Sequence, residues 1–329
     1  MAMRIVLALM MASSVAPSRT TEVDDWQVLV NQAAAAETAG DYARAAGFYR
    51  EAARIGETFE PGDKRRPFVL NGLGMAYDYL GQYADSEAAY RRALAAVEQS
   101  PRFNGLDRAM VLANLSTLYI EMGQMARAEK LLGEAMSLHK AAPESDKLRL
   151  SIVQNSLAEL LITTGKTAEA ERLLTACVSF LESRPDALTE MGIAKNNLGV
   201  VRMYQGRFAD AARLLEEAVA ALQSGRSPGH PILVRTLNNL AAARLRNGER
   251  AEAGKNWQRA VDMAASQLGM QHPLYGEVLA NYGRYLRETG EKAKGKKLES
   301  QAIQIMRDSR RRNGIGGVVD VWSLRQKGK

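Results

Sequence analysis

Cysteine is all but missing from this 329-residue chain: Cys177 stands alone, which excludes an internal disulfide scaffold. Histidine is nearly as scarce, and His139, His230 and His272 lie too far apart in sequence to form a Cys/His cluster with the spacing of a zinc site. Aromatic residues make up only 6% of the chain. Ala, Leu, Arg, Glu and Gln dominate where sheet formers would be needed, so the composition points to an all-helical protein. No stretch approaches the roughly 18–20 apolar residues that cross a bilayer as a helix. Glycine-rich phosphate loops, nucleophile elbows and a carboxylate pair distinct from the background are also lacking, so neither enzymatic chemistry nor a cofactor is expected. What is present, 46% hydrophobic and 25% charged residues, is the composition of a folded soluble chain.

The formal charge of +7 is concentrated at one end. Residues 307–329 hold seven basic residues (Arg307, Arg310, Arg311, Arg312, Arg325, Lys327 and Lys329) against Asp308 and Asp320, so the rest of the chain is nearly neutral. At the other end, Arg4, the apolar run Ile5–Ala12 and the small residues Ser13–Ala16 resemble a secretory signal peptide over residues 1–18. That reading implies an exported protein, periplasmic or secreted. The alternative is an N-terminal extension of a cytoplasmic one.

Between the ends lies a repeat. Gly40, Gly81, Gly123, Gly165, Gly206, Gly248 and Gly290 follow one another at spacings of 41 or 42 residues. Five residues after each comes a small residue (Ala45, Ser86, Ala128, Ala170, Ala211, Ala253, Gly295), and twelve after it another (Ala52, Ala93, Ala135, Cys177, Ala218, Ala260, Ala302). Seven before it stand Ala33, Gly74, Ser116, Ala158, Gly199, Ala241 and Gly283. Nine after it the residue is bulky, Tyr49, Tyr90, Leu132, Leu174, Leu215 and Trp257, until Glu299 breaks the rule in the seventh unit. Two helices that touch at small residues, wedge a large one between them and turn at a glycine satisfy all these offsets. Cys177 occupies a packing position and is expected to be a buried thiol.

This pattern resembles the tetratricopeptide repeat, and its long period, with the segments starting His230-Pro231 and His272-Pro273, looks like the long-helix subclass of kinesin light chains. The resemblance covers residues 24–306 as seven repeats. It implies a right-handed all-α solenoid whose concave groove is lined by positions two, five, six, nine, twelve and thirteen of each first helix. The polar seventh unit, with Lys292, Lys294, Lys296 and Lys297, reads as a cap, and Asn313-Gly314 as the point where the last helix breaks ahead of a loosely held tail.

The function implied is a non-catalytic scaffold that binds an extended peptide or a partner protein's segment. Groove positions carry an asparagine series: Asn114, Asn197, Asn239 and Asn281 at the sixth position are read as facing the peptide, with Asn71, Asn155, Asn196 and Asn238 beside them at the fifth. Arg235, Arg246, Arg284 and Arg287 are read as a basic clamp for an acidic side chain or carboxylate. Met75, Tyr79, Met110, Ile120, Ile152 and Ile162 are read as an apolar wall. A nucleic-acid-associated regulator acting through the basic tail is the runner-up, with less weight because basic residues and aromatics are not interleaved over a face.

Overall fold

The computed structural model describes residues 20–99, 105–142, 146–225 and 230–314. The first eighteen residues, read above as a signal peptide, lie outside them, as does the tail beyond Gly314. The described residues form fourteen α-helices and no strand, paired as seven antiparallel hairpins. In chain order these are α1 (Thr20–Thr38) with α2 (Tyr42–Gly56), α3 (Arg65–Tyr79) with α4 (Tyr83–Glu98), and α5 (Gly105–Glu121) with α6 (Met125–Ala141). Then come α7 (Lys147–Thr163) with α8 (Thr167–Glu182), α9 (Leu188–Tyr204) with α10 (Phe208–Ser224), α11 (Pro231–Arg246) with α12 (Arg250–Gln267), and α13 (Pro273–Glu288) with α14 (Lys292–Asn313).

Each hairpin turns at its repeat glycine. All seven adopt positive φ, from 67° at Gly81 to 107° at Gly290, a region that side chains with a Cβ enter only under strain. The next N–H reaches back to the carbonyl five residues earlier, as in Gln124 to Tyr119 and Lys166 to Leu161, both 2.7 Å, and so satisfies an otherwise orphaned carbonyl at the helix end. The small residues are sealed inside: Ala45, Ser86, Ala128, Ala170, Ala211 and Ala253 are fully buried, and so are the wedges Leu132, Leu174 and Leu215. Gly74 shows why the position must be small, since a Cβ there would lie 2.6 Å from the Tyr90 ring. The apolar core runs from Trp26 in α1 to Ile305 in α14.

Helix α1 begins at Thr20, and α14 continues seven residues past 306, to Asn313. Arg310, Arg311 and Arg312 in its last turn favour the negative end of the helix, and Gly314 at φ 65° closes it in the left-handed conformation. The first part of the basic tail is therefore helix, and the break at Asn313-Gly314 falls where the sequence places it.

The superhelix also closes on itself, which the sequence reading did not anticipate. At the C-terminal end of α14, Asn313 accepts a hydrogen bond from the backbone N–H of Tyr83 and donates one to the carbonyl of Gly81, both 2.9 Å. At the head of α11, His230 Nε2 lies 3.0 Å from the Tyr79 hydroxyl, and Arg235 pairs with Glu121 of α5. A Cβ on Gly81 would sit 2.6 Å from Pro273 Cδ at the head of α13. The second repeat thus packs against the sixth and seventh, and the concave groove becomes a central cavity.

Candidate functional site

The cavity has a volume of about 880 Å³ and is lined chiefly by first helices of the hairpins. Met75, Tyr79, Met110, Ile120, Ile152 and Ile162 all line it, as the register of groove positions requires. Asn114, Asn196, Asn197, Asn239 and Arg235 reach it too, whereas Asn238, Asn281, Arg246, Arg284 and Arg287 are not part of its wall.

The asparagines chiefly bond one another. The sixth-position amide of one repeat donates to the fifth-position carbonyl of the repeat before: Asn114 to Asn71 at 3.1 Å, Asn239 to Asn196 at 3.0 Å, and Asn281 to Asn238 at 3.1 Å. Asn238 Oδ1 accepts also from Trp257 Nε1, which fixes it inside the core. One rung differs. The equivalent step from Asn197 to Asn155 is not made: Asn197 Oδ1 accepts from its neighbour Asn196 instead, and Asn155 Oδ1 has no hydrogen-bond partner although Asn155 is only 6% exposed. Both residues line the cavity. The ladder is thus mainly a device that sets the repeat-to-repeat register, with one open rung between the fourth and fifth repeats.

The four arginines do not converge. Arg246 lies over the Phe208 ring, 4.8 Å from its centroid, and Arg287 pairs with Glu299 at 2.8 Å, while Arg284 is exposed. The cause is the closure of the superhelix, which leaves the leading turns of α11 and α13 in the cavity wall and their trailing turns outside it. Only Arg235, near the head of α11, enters.

Around Arg235 the wall is acidic. Glu121 pairs with it at 2.5 Å, and Asp78, Glu159 and Glu277 stand near enough to interact with its charge. Burial works against the Arg235 charge, but Glu121, Glu277 and Glu159 outweigh it and hold the guanidinium firmly ionised. Burial pushes the Glu159 carboxyl up to about 7, with Arg235 opposing and Glu121 assisting. Burial likewise raises Asp78 well above the usual carboxylate range, reinforced by repulsion from Glu121, and takes Glu37 up to about 7 against a hydrogen bond from Tyr49.

The two His-Pro turns are structural. His230 and His272 cap α11 and α13, their Nδ1 atoms accepting from the N–H groups of Ile232 and Leu274 at 3.1 Å, with Pro231 and Pro273 at the first helical positions. Burial, with Arg235 adding to it, holds both rings neutral down to about 4, although for His272 the nearby Tyr79 backbone opposes it. Cys177 is 1% exposed, its thiol pushed up to about 11 by burial. Among the described residues, no group of three or more His, Cys, Asp or Glu side chains is placed to hold a metal ion, and no helix is long and apolar enough to cross a membrane.

The acidic wall was readable but unread. Glu37, Asp78, Glu121 and Glu159 fall at positions twelve, twelve, thirteen and nine of their first helices, all assigned to the groove. The sign of the charge there was the missed signal.

Among solved structures, NprR in complex with its cognate peptide NprX is similar, at 11% identity and a TM-score of 0.64, over 98% of this chain and 91% of that one. A Rap protein complexed with competence and sporulation factor matches at 11% identity and a TM-score of 0.56, over 88% and 99%. The "kinesin light chain nearly identical TPR-like repeats" of Podosopora anserina match at 23% identity and a TM-score of 0.48, over 64% and 100%. No curated protein matches the sequence. These likenesses are of fold. The sequence itself matches the tetratricopeptide repeat family over residues 27–99, 107–183, 190–253 and 233–308. With seven glycine-turned hairpins in register and that match along most of its length, the chain belongs to the tetratricopeptide repeat family.

Proposed function

We propose that this protein is a non-catalytic interaction scaffold that holds an extended peptide, or an extended segment of a partner protein, in its central cavity. The observation that carries the reading is the open rung: a buried asparagine acceptor without a partner, Asn155, beside Asn197, in a cavity whose wall also includes Met75, Met110, Ile152 and Ile162. An unpaired buried amide is unfavourable, and an extended backbone supplies the missing N–H without requiring a particular side chain. The apolar wall offers hydrophobic anchorage. NprR, similar in fold, is in complex with its cognate peptide, and the Rap protein with competence and sporulation factor, which supports the same use here. The acidic wall disfavours a phosphate backbone, so the nucleic-acid alternative would rest on the tail alone. Export remains part of the proposal through residues 1–18, and N-terminal sequencing of the mature protein tests it.

Short random-sequence peptides carrying a fluorophore provide the direct test. The wild type is expected to bind them, and the Asn155→Ala/Asn197→Ala variant to bind more weakly. Two uncharged hydrogen bonds at about 0.5–1.5 kcal/mol each correspond to a loss of roughly five- to a hundred-and-fifty-fold. Equal binding by a folded double variant would move the site to the convex face or the tail.

A further inference from the structure

The wall around Arg235 holds more carboxylates than that one guanidinium can neutralise. Glu121 takes the direct ion pair. Asp78 and Glu159 face Arg235 from α3 and α7 with no ion pair of their own among the described residues. The second cation of the wall, Arg149, is committed elsewhere, to Asp107 at 3.0 Å and Asp146 at 3.4 Å.

Two further observations point to a ligand. Asp78 Oδ1 is buried without a hydrogen-bond partner, and Asn155 Oδ1, on a side chain more than nine-tenths buried in the same wall, is in the same condition. Beside these acceptors stand aromatic rings. The Tyr42 and Tyr79 rings lie 4.8 Å apart, and Tyr79 is close enough to Asp78, Glu37 and Glu121 to interact with their charges. Surplus carboxylates, unpartnered acceptors and phenol rings around one space are complementary to an ammonium or guanidinium group, whose N–H donors, positive charge and affinity for ring faces match each in turn. The basic clamp expected from the sequence is replaced by its electrostatic opposite.

We propose that this end of the cavity is a cation subsite, and that the peptide segment the protein takes up places a lysine or arginine side chain between Asp78, Glu159 and the Tyr42–Tyr79 pair. This rests on the peptide reading above and names the chemistry of its occupant. The raised Glu159 carboxyl agrees with it: it holds a proton while the subsite is empty, and an incoming cation ionises it, so uptake releases a proton and strengthens as pH rises through about 7. The groups that face Glu159 in that titration are Asp78, Glu121 and Arg235.

The experiment uses full-length protein and four labelled peptide pools, random except for a fixed central Arg, Lys, Gln or Glu, at pH 8. The Arg and Lys pools should bind wild type at least tenfold more tightly than the Gln pool, with the Glu pool weakest, and Asp78→Asn/Glu159→Gln should erase the difference. If the Gln or Glu pool binds as tightly as the Arg pool, the cation subsite is wrong and the peptide reading survives. Agmatine, a free guanidinium, separates the two ideas further. If no pool binds but agmatine raises the melting temperature of wild type and not of the double variant, the subsite stands and the peptide reading falls. If neither binds, both fall. Should the double variant fail to fold, Glu159→Gln alone is expected to lose most of the Arg preference, and retention of that preference in full would overturn the assignment.

Discussion

Glu159 faces Asp78, Glu121 and Arg235 across the cavity, and its carboxyl is raised from 4.5 to about 7 by burial. Between those values the folded state binds a proton that the unfolded chain does not, so this group makes folding progressively less favourable as pH rises from about 4.5 to 7. Glutamine at 159 removes that term. Glu159→Gln is therefore expected to be more stable than wild type at pH 8, by up to about 3 kcal/mol, with the gain gone by about pH 4.5. Urea unfolding at the two pH values checks it, and a variant no more stable at pH 8 would show that the carboxylate is well solvated. His230 and His272 pull the other way. Lowered from 6.5 to about 4, they are held neutral in the fold, so their contribution is present above 6.5 and is lost as pH falls toward 4. The two windows overlap, so between about 4.5 and 6.5 the carboxyl and imidazole contributions oppose one another. At this scale the sequence was half legible. The apolar wall and the buried Cys177 follow from register alone, but a side chain's partner does not, which is why the amides of Asn239 and Asn281 donate to other asparagines.

A hairpin is specified by a few positions, and these were the most legible part of the chain. Each offset from the glycine reports a contact between two adjacent helices, so it recurs wherever the hairpin recurs and can be read as periodicity. Ala128 and Ala211 are fully buried at that contact. Ala128→Leu or Ala211→Leu should force the helices apart and cost about 1–3 kcal/mol, read as a lowered midpoint of thermal or urea unfolding. Unchanged unfolding in both would mean that the small-residue register is misassigned. The asparagine ladder acts at the same scale, between one repeat and the next. Asn281→Ala breaks a buried bond and leaves Asn238 Oδ1 with Trp257 Nε1 alone, so it should lower stability by about 1 kcal/mol even without any ligand.

Closure belongs to the whole molecule, and no single repeat encodes it. The path of a solenoid sums a small rotation at each step, so whether the seventh unit meets the second depends on all the intervening interfaces and leaves no local pattern. Gly81 tests it by contrast with Gly165. Both have positive φ, so alanine strains both turns, but only at Gly81 would the new Cβ strike across the ring, at Pro273, while at Gly165 it meets nothing within 4 Å. Gly81→Ala should enlarge the radius of gyration in X-ray scattering, whereas Gly165→Ala should lower stability and leave the size unchanged. The central claim is that the partner segment occupies the closed cavity. Hydrogen–deuterium exchange with and without a saturating Arg-containing peptide tests it most directly. Added protection is predicted along α3, α5, α7, α9 and the leading turns of α11 and α13, with α4, α6 and α8 unchanged; protection confined to those second helices or to residues 307–314 would contradict it.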